Sequence, residues 1–253
     1  MKQKYLSIVV ILCIIISGCL DNKSDSGEQK KTKAKQFTVF FTGIRGFSGL
    51  CNKKANETFL ALSDRNGIYE INKEGKVIRT LPFSSSYDFE GIAHNPITHD
   101  IYLADEGQMK IFKLSKDEKT VQLITEILIS GLKTNKGIEG LTFGNDTLYI
   151  VNQASPSMLI KYDLKSNREI SRVKLDYAEY LSDIDFDESD NTLWISDSKN
   201  QKIFHTDLEG NLIDFQSIKF VKKAEAIKVD RLGKTVWIGC DETGLLYKVK
   251  LKI

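Results

Sequence analysis

The 253-residue sequence is poor in the residue types on which most enzyme chemistry depends. With three histidines and four cysteines, it has no paired-cysteine or histidine-rich metal motif. No Gly-x-Ser-x-Gly elbow and no Walker loop occurs, so the usual signatures of serine hydrolases and P-loop nucleotide enzymes are missing. A net charge of +2 gives no electrostatic case for a nucleic-acid partner. The local cluster Lys30-Lys31-Thr32-Lys33-Ala34-Lys35 reads as a solvated linker. Only three prolines, with 41% hydrophobic and 28% charged residues, describe an ordinary globular body.

Long apolar runs are missing too, except at the start. Leu6 to Ile16 is apolar apart from Ser7 and follows a short basic segment, Met1-Lys2-Gln3-Lys4-Tyr5. That is the length of a signal-peptide core and too short to span a bilayer comfortably. It ends in Ile16-Ser17-Gly18-Cys19, which resembles the lipobox of bacterial lipoproteins, with Ile16 in place of the commoner leucine. The resemblance implies a signal peptide over residues 1–18 and lipidation of Cys19. The other reading is an ordinary signal peptide or uncleaved anchor that carries a cysteine. Residues 20–36 are rich in Lys, Asp, Ser and Gly and bury too little apolar surface to order themselves, so they read as a tether. The expected location is the cell envelope, facing periplasm or exterior, held to the membrane through Cys19 (the outer membrane if the host is Gram-negative). Cys51 and Cys240 then remain, and two buried free thiols are expected rather than a disulfide.

What the chain does have is a repeat. Phe47-Ser48-Gly49-Leu50, Phe89-Glu90-Gly91-Ile92, Ile138-Glu139-Gly140-Leu141, Leu181-Ser182-Asp183-Ile184 and Ala224-Glu225-Ala226-Ile227 are five versions of one motif. Their second residues are 42, 49, 43 and 43 positions apart, a spacing typical of propeller blades. Each motif is followed by a β-branched and aromatic run ending in a small or acidic residue, such as Ile101-Tyr102-Leu103-Ala104-Asp105. An alternating run and a turn come next, and a further strand follows in the first four repeats. The fifth lacks that strand, whereas Phe37-Thr38-Val39-Phe40-Phe41 belongs to no repeat. The fold predicted is therefore all-β: a five-bladed β-propeller over residues 37–253, of four-stranded antiparallel blades, closed by the N-terminal strand. Six blades would leave roughly 36 residues each, below the usual period. The long second repeat points to a longer loop around Glu126 to Lys136.

The first strand of a blade lines the central channel, so Ser48, Glu90, Glu139, Ser182 and Glu225 should converge there, with Asp183 beside them. Crowded carboxylates call for a cation, a shared proton or water. An all-oxygen set suits calcium first and magnesium second. The competing reading is that Glu-Gly satisfies backbone groups where blades meet. The polar ends of the second strands, Asp64, Asp105, Asn152, Asp197 and Asp241, read as turn formers. His94 reads as a satisfied structural histidine within reach of the channel; Tyr87 and Asp88 fall on the loop rim.

The five inner-strand motifs, in the order Ser, Glu, Glu, Ser, Glu, resemble those of the SdiA-regulated (YjiK-like) bacterial β-propellers over about Phe37 to Ile253. The resemblance implies five blades distantly akin to NHL-repeat propellers, a calcium site and no established activity. Its calcium candidates are Glu90, Glu139 and Glu225, with the ring serines; Asp183 and Ala226 depart from the family's glycines. Three functions are set against each other on this basis. The first is an envelope module that binds calcium and a small ligand or partner protein. The second is a metal-dependent hydrolase of lactones or phosphate esters using channel carboxylates, and the third a purely structural protein.

Overall fold

The computed structural model describes residues 36–54, 57–65, 67–129 and 136–252. The lipobox with Cys19, nearly all of the tether, and residues 130–135 of the expected long loop lie outside them. The described chain is built of strands, β1 to β20, arranged as five four-stranded sheets.

The first blade is β2 (Phe47–Lys54), β3 (Thr58–Ser63), β4 (Gly67–Asn72) and β5 (Val77–Thr80). The second is β6 (Phe89–His94), β7 (Ile101–Asp105), β8 (Lys110–Leu114) and β9 (Val121–Glu126). β10 (Ile138–Gly144), β11 (Thr147–Asn152), β12 (Met158–Asp163) and β13 (Arg168–Lys174) make the third. β14 (Leu181–Asp187), β15 (Thr192–Asp197), β16 (Lys202–Thr206) and β17 (Leu212–Ser217) make the fourth. In the fifth, β18 (Ala224–Asp230), β19 (Thr235–Cys240) and β20 (Leu245–Lys250) are completed by β1 (Phe37–Phe41), which pairs antiparallel with β20 from Phe37↔Val249 to Phe41↔Leu245. The ring thus closes as the orphan run predicted, and Phe37 stacks on Phe220 at 4.5 Å to hold it.

Apolar side chains between neighbouring blades form the core. Phe47, Leu50, Phe59, Trp237 and Leu246 join the fifth blade to the first, with Phe59 edge-on to Trp237 at 5.2 Å. The Trp237 Nε1–H donates to the Lys73 carbonyl at 3.1 Å, satisfying the indole's polar end across the same seam. Burial of each such ring stabilises by about 1.5–3 kcal/mol. The outermost strands bury little, and β13 is exposed along its whole length.

β2, β6, β10, β14 and β18 lie side by side around the channel. Each breaks its ladder with a register shift at the repeated motif, between Phe47 and Gly49, Phe89 and Gly91, Ile138 and Leu141, Leu181 and Ile184, and Ala224 and Ala226. A bulge leaves a residue without a cross-strand partner and re-aims its side chain. The displaced residues include Ser48, Glu90, Glu139, Ser182 and Glu225. The glycine after the ring residue lets the next blade approach closely. A Cβ on Gly140 would stand 2.6 Å from the Asp183 Cα, and one on Gly91 would collide with the Glu139 carbonyl oxygen.

Candidate metal centre

Of the six predicted ring residues, four reach one cavity of about 500 Å³ at the upper mouth: Ser48, Glu90, Glu139 and Glu225. Ser182 is fully buried beside Glu225. Asp183 is also fully buried, but its carboxylate faces the backbone. It accepts the N–H of Ile184 at 2.9 Å and of Ile227 at 2.7 Å, and a further backbone bond from Leu50. One side chain therefore ties β14 to the inner strands of the fifth and first blades.

The upper mouth gathers acids that the ring alone does not supply. Oxygens of Asp88, Glu90 and Glu106 lie within 4.8 Å of one another. Glu106 accepts the Gly137 N–H at 3.2 Å and is hydrogen-bonded to Glu139. Glu139 in turn accepts from Gln153 Nε2, whose Oε1 receives Lys136 Nζ at 3.0 Å; Lys136 also donates to Tyr180. Glu106, Gln153 and Ser198 each follow immediately after a second strand, at equivalent positions in three blades. They form a partial second tier over the first ring, and Ser198 bonds Glu225 as Glu106 bonds Glu139. Asp105 and Asp197 do form turns, accepting Gln108 N–H at 2.6 Å and Asn200 N–H at 2.8 Å. Asn152 bonds its own turn through Pro156. Asp64 and Asp241 instead line the cavity, Asp241 with Lys223 at 3.0 Å. Asp88 belongs to the acidic cluster, whereas Tyr87 packs away from it on Phe112 at 4.8 Å.

Crowding sets the electrostatics. Burial, opposed by a hydrogen bond from Ser48 and reinforced by Asp88, Asp64 and Glu106, pushes the Glu90 carboxyl up to about 8. Burial and then the charges of Glu90, Glu106 and Glu225 hold Glu139 well above the usual carboxylate range. Burial raises Glu106 and Glu225 as well. Without a cation Glu90 retains its proton at neutral pH. The donor set fits a hard dication: oxygens on opposite sides of a calcium ion stand about 5 Å apart, and calcium takes carboxylates singly or bidentately.

His94 and His205 occupy other parts of the propeller. His205 is satisfied, with Nε2 2.9 Å from Thr192 Oγ1 and the ring stacked on Trp194 at 4.2 Å. His94 is satisfied only in part. One nitrogen bonds the Asn52 backbone, whereas the buried Nε2 has no partner, because the inner strand carries it below the polar ring. Cys51 and Cys240 are buried free thiols, as expected from their different strand positions.

The model of the SdiA-regulated family matches residues 29–179, more than half of the chain. The chain belongs to the SdiA-regulated family. For this SdiA-regulated propeller, solved structures repeat the architecture at low identity. Myxococcus xanthus glutaminyl cyclase is 13% identical, with 84% of this chain and 94% of that one covered and a TM-score of 0.65. Virginiamycin B lyase from Staphylococcus aureus is 18% identical over 81% and 66% of the two chains, at a TM-score of 0.51. An auxiliary nutrient binding protein from Bacteroides thetaiotaomicron is 14% identical over 79% and 58%, at 0.52. At these identities the likeness is one of fold and carries no activity across.

Proposed function

We propose that this propeller is a lipid-anchored module of the cell envelope that binds calcium at its upper mouth and engages a small ligand or partner protein there. The observation that carries the reading is the cluster of Asp88, Glu90 and Glu106, with Glu139 hydrogen-bonded to Glu106, beside an open cavity that Glu90, Glu106 and Glu139 line. Such a cluster is costly to hold ionised without a cation and needs no rearrangement to receive one. Calcium would supply charge neutralisation and an oxygen-seeking centre; Gln153 and Ser198 would keep the surrounding carboxylates in place. The tether would join the propeller at Gln36, on the face opposite the acidic cavity, since β1 runs from the Val249 end of β20 toward the Leu245 end. Membrane attachment would come through Cys19.

Calcium titration by calorimetry and thermal melting tests the metal site. The wild type should bind saturably and melt higher, gaining about 2.7 kcal/mol at a hundredfold excess over Kd. The Glu90→Gln/Glu139→Gln variant should do neither. Absence of binding in the wild type, with unchanged melting in the variant, would sink the metal reading. A hydrolase acting on lactones or phosphate esters is the second reading, favoured by the cavity that opens directly beside the acidic cluster. Calcium-dependent turnover that disappears in the same variant would select it.

A further inference from the structure

The lower mouth of the channel is ringed by the turns that join the first strand of each blade to the second, and farther out by those that join the third to the fourth. Two of the inner turns carry apolar side chains at their tips. Ile97, between β6 and β7, is 78% exposed, and Leu232, between β18 and β19, is 85% exposed. Neither side chain builds its turn. Asn95 Oδ1 accepts the N–H of Ile97 at 2.9 Å and of Thr98 at 3.1 Å, and Asp230 Oδ1 accepts the Gly233 N–H at 2.7 Å. The two tips flank a basic arc. Blades five, one and two adjoin through β18, β2 and β6. Salt bridges at their lower turns use Arg79, Lys116 and Arg231. Lys53, Lys73, Lys76, Lys119 and Lys234 are left outside any salt bridge among the described residues. The acids left over there are Glu57, Glu74, Asp117 and Asp230, the last two engaged with their own turns. Lower turns of blades three and four are the reverse, with Asp146, Glu188, Asp190, Asp207 and Glu209 against one cation, Lys165.

The described chain enters on the basic side of this face. The Lys250 N–H donates to the Gln36 carbonyl at 3.1 Å and the Leu251 N–H to the Lys234 carbonyl at 2.9 Å, which sets Gln36 beside the Leu232 turn. Residues 20–35 separate Gln36 from Cys19, and a random chain of that length spans about 20 Å. A lipid on Cys19 would therefore hold the basic arc within reach of the bilayer it enters. Exposed apolar tips beside lysines are the combination by which a protein surface binds anionic lipid. We propose that the lower face docks on an anionic bilayer through blades five, one and two, with Ile97 and Leu232 entering the interface and the lysines against lipid phosphates. The inference rests on attachment through Cys19 and adds an orientation to it. The acidic blades three and four tilt away from the surface. The upper cavity, lined by Asp64, Glu90, Glu139 and Glu225, points to the aqueous side, where no lipid phosphate repels it.

Flotation and amide hydrogen exchange of the full chain test the anchor and the face separately. The vesicles are equal parts phosphatidylglycerol and phosphatidylethanolamine, with pure phosphatidylcholine as the uncharged reference. The wild type should float with both, and Cys19→Ala should lose flotation on phosphatidylcholine. On the anionic vesicles, exchange in the turns 97–99 and 231–234 should slow about tenfold relative to phosphatidylcholine, while the upper-mouth turns keep their rates. High salt should reduce that protection, since the lysines are exposed or half-buried. Ile97→Asp/Leu232→Asp should abolish it and still float, because Asn95 and Asp230 keep the two turns in shape; an unchanged melting curve verifies the fold. A wild type that floats with neither vesicle would remove the anchor and this inference with it. Flotation without protection of the lower turns, or with protection of the upper ones, would overturn the face alone. Protection that rises with protein concentration rather than with anionic lipid would assign the face to a second copy of the chain and equally overturn it.

Discussion

The two mouths of the channel are made by the same five strands, yet they solve the problem of buried charge in opposite ways. At the upper mouth Glu90, Glu106 and Glu139 crowd one another, and burial raises them all. Three residues further along each inner strand, the repeat has lost its chemistry: the equivalent positions are Cys51, Ala93, Thr142, Asp185 and Lys228. There the buried acid has its own cation, a 2.7 Å bond to Lys228 and a further one to the Val229 N–H at 2.8 Å. The upper mouth keeps like charges together and stores a demand for a cation. The lower mouth pairs Asp185 with Lys228 and Arg231 with Asp190. Repetition of sequence thus makes a site only where the bulge turns the same position inward in every blade.

The largest effect in this comparison is expected where the pairing is removed. Lys228→Met leaves Asp185 buried without its cation and should cost about 3–5 kcal/mol, read as a lowered melting temperature. Simultaneous Asp185→Leu should recover most of that loss. A loss no greater than that of a surface substitution would show that the lower mouth does not depend on charge pairing.

Next in size is the blade contact that both mouths share. Gly140→Ala sets a methyl 2.6 Å from the Asp183 Cα, where backbone must shift, and should cost about 1–3 kcal/mol by denaturant unfolding. It should also weaken calcium binding, because Glu139 is its neighbour. Unchanged stability would mean that the blades are not in close contact at the bulge.

The smallest expected effect sharpens the electrostatic contrast. Glu90 is raised in the folded protein, so the folded state holds its proton above the pH at which the unfolded chain has released it. In chelator, stability should fall as pH rises from the ordinary glutamate range toward about 8, by at most about 1.4 kcal/mol per pH unit for one such group. Saturating calcium should flatten the slope, and calcium should bind more tightly as pH rises. A pH-independent melting temperature in chelator would remove the premise of the acidic mouth.

Much of this molecule is legible along the chain. The spacing of Ser48, Glu90, Glu139, Ser182 and Glu225 shows the blades because each must present the same inner strand, and the unassigned Phe37–Phe41 run shows the closure because one blade lacks an edge. The free state of Cys51 and Cys240 follows from their different strand positions. The second tier was also present in the sequence, since Glu106, Gln153 and Ser198 each follow a second strand, but its signal is one residue per blade with no shared chemistry. Asp183 was misleading in the same way: beside the ring in sequence, it turns its carboxylate to amides of the first and fifth blades.

The sequence by itself determined the blade number, the closure and which residues stand at the channel, because period and alternation are local properties that the backbone must express. Only the tertiary structure decided that Asp88 and Glu106 join Glu90, that Asp183 ties three inner strands together, and that His94 Nε2 and Asp187 Oδ2 are buried without partners. Those outcomes depend on which atoms from other blades arrive within hydrogen-bonding distance, and no pattern along one strand specifies its neighbours' side chains.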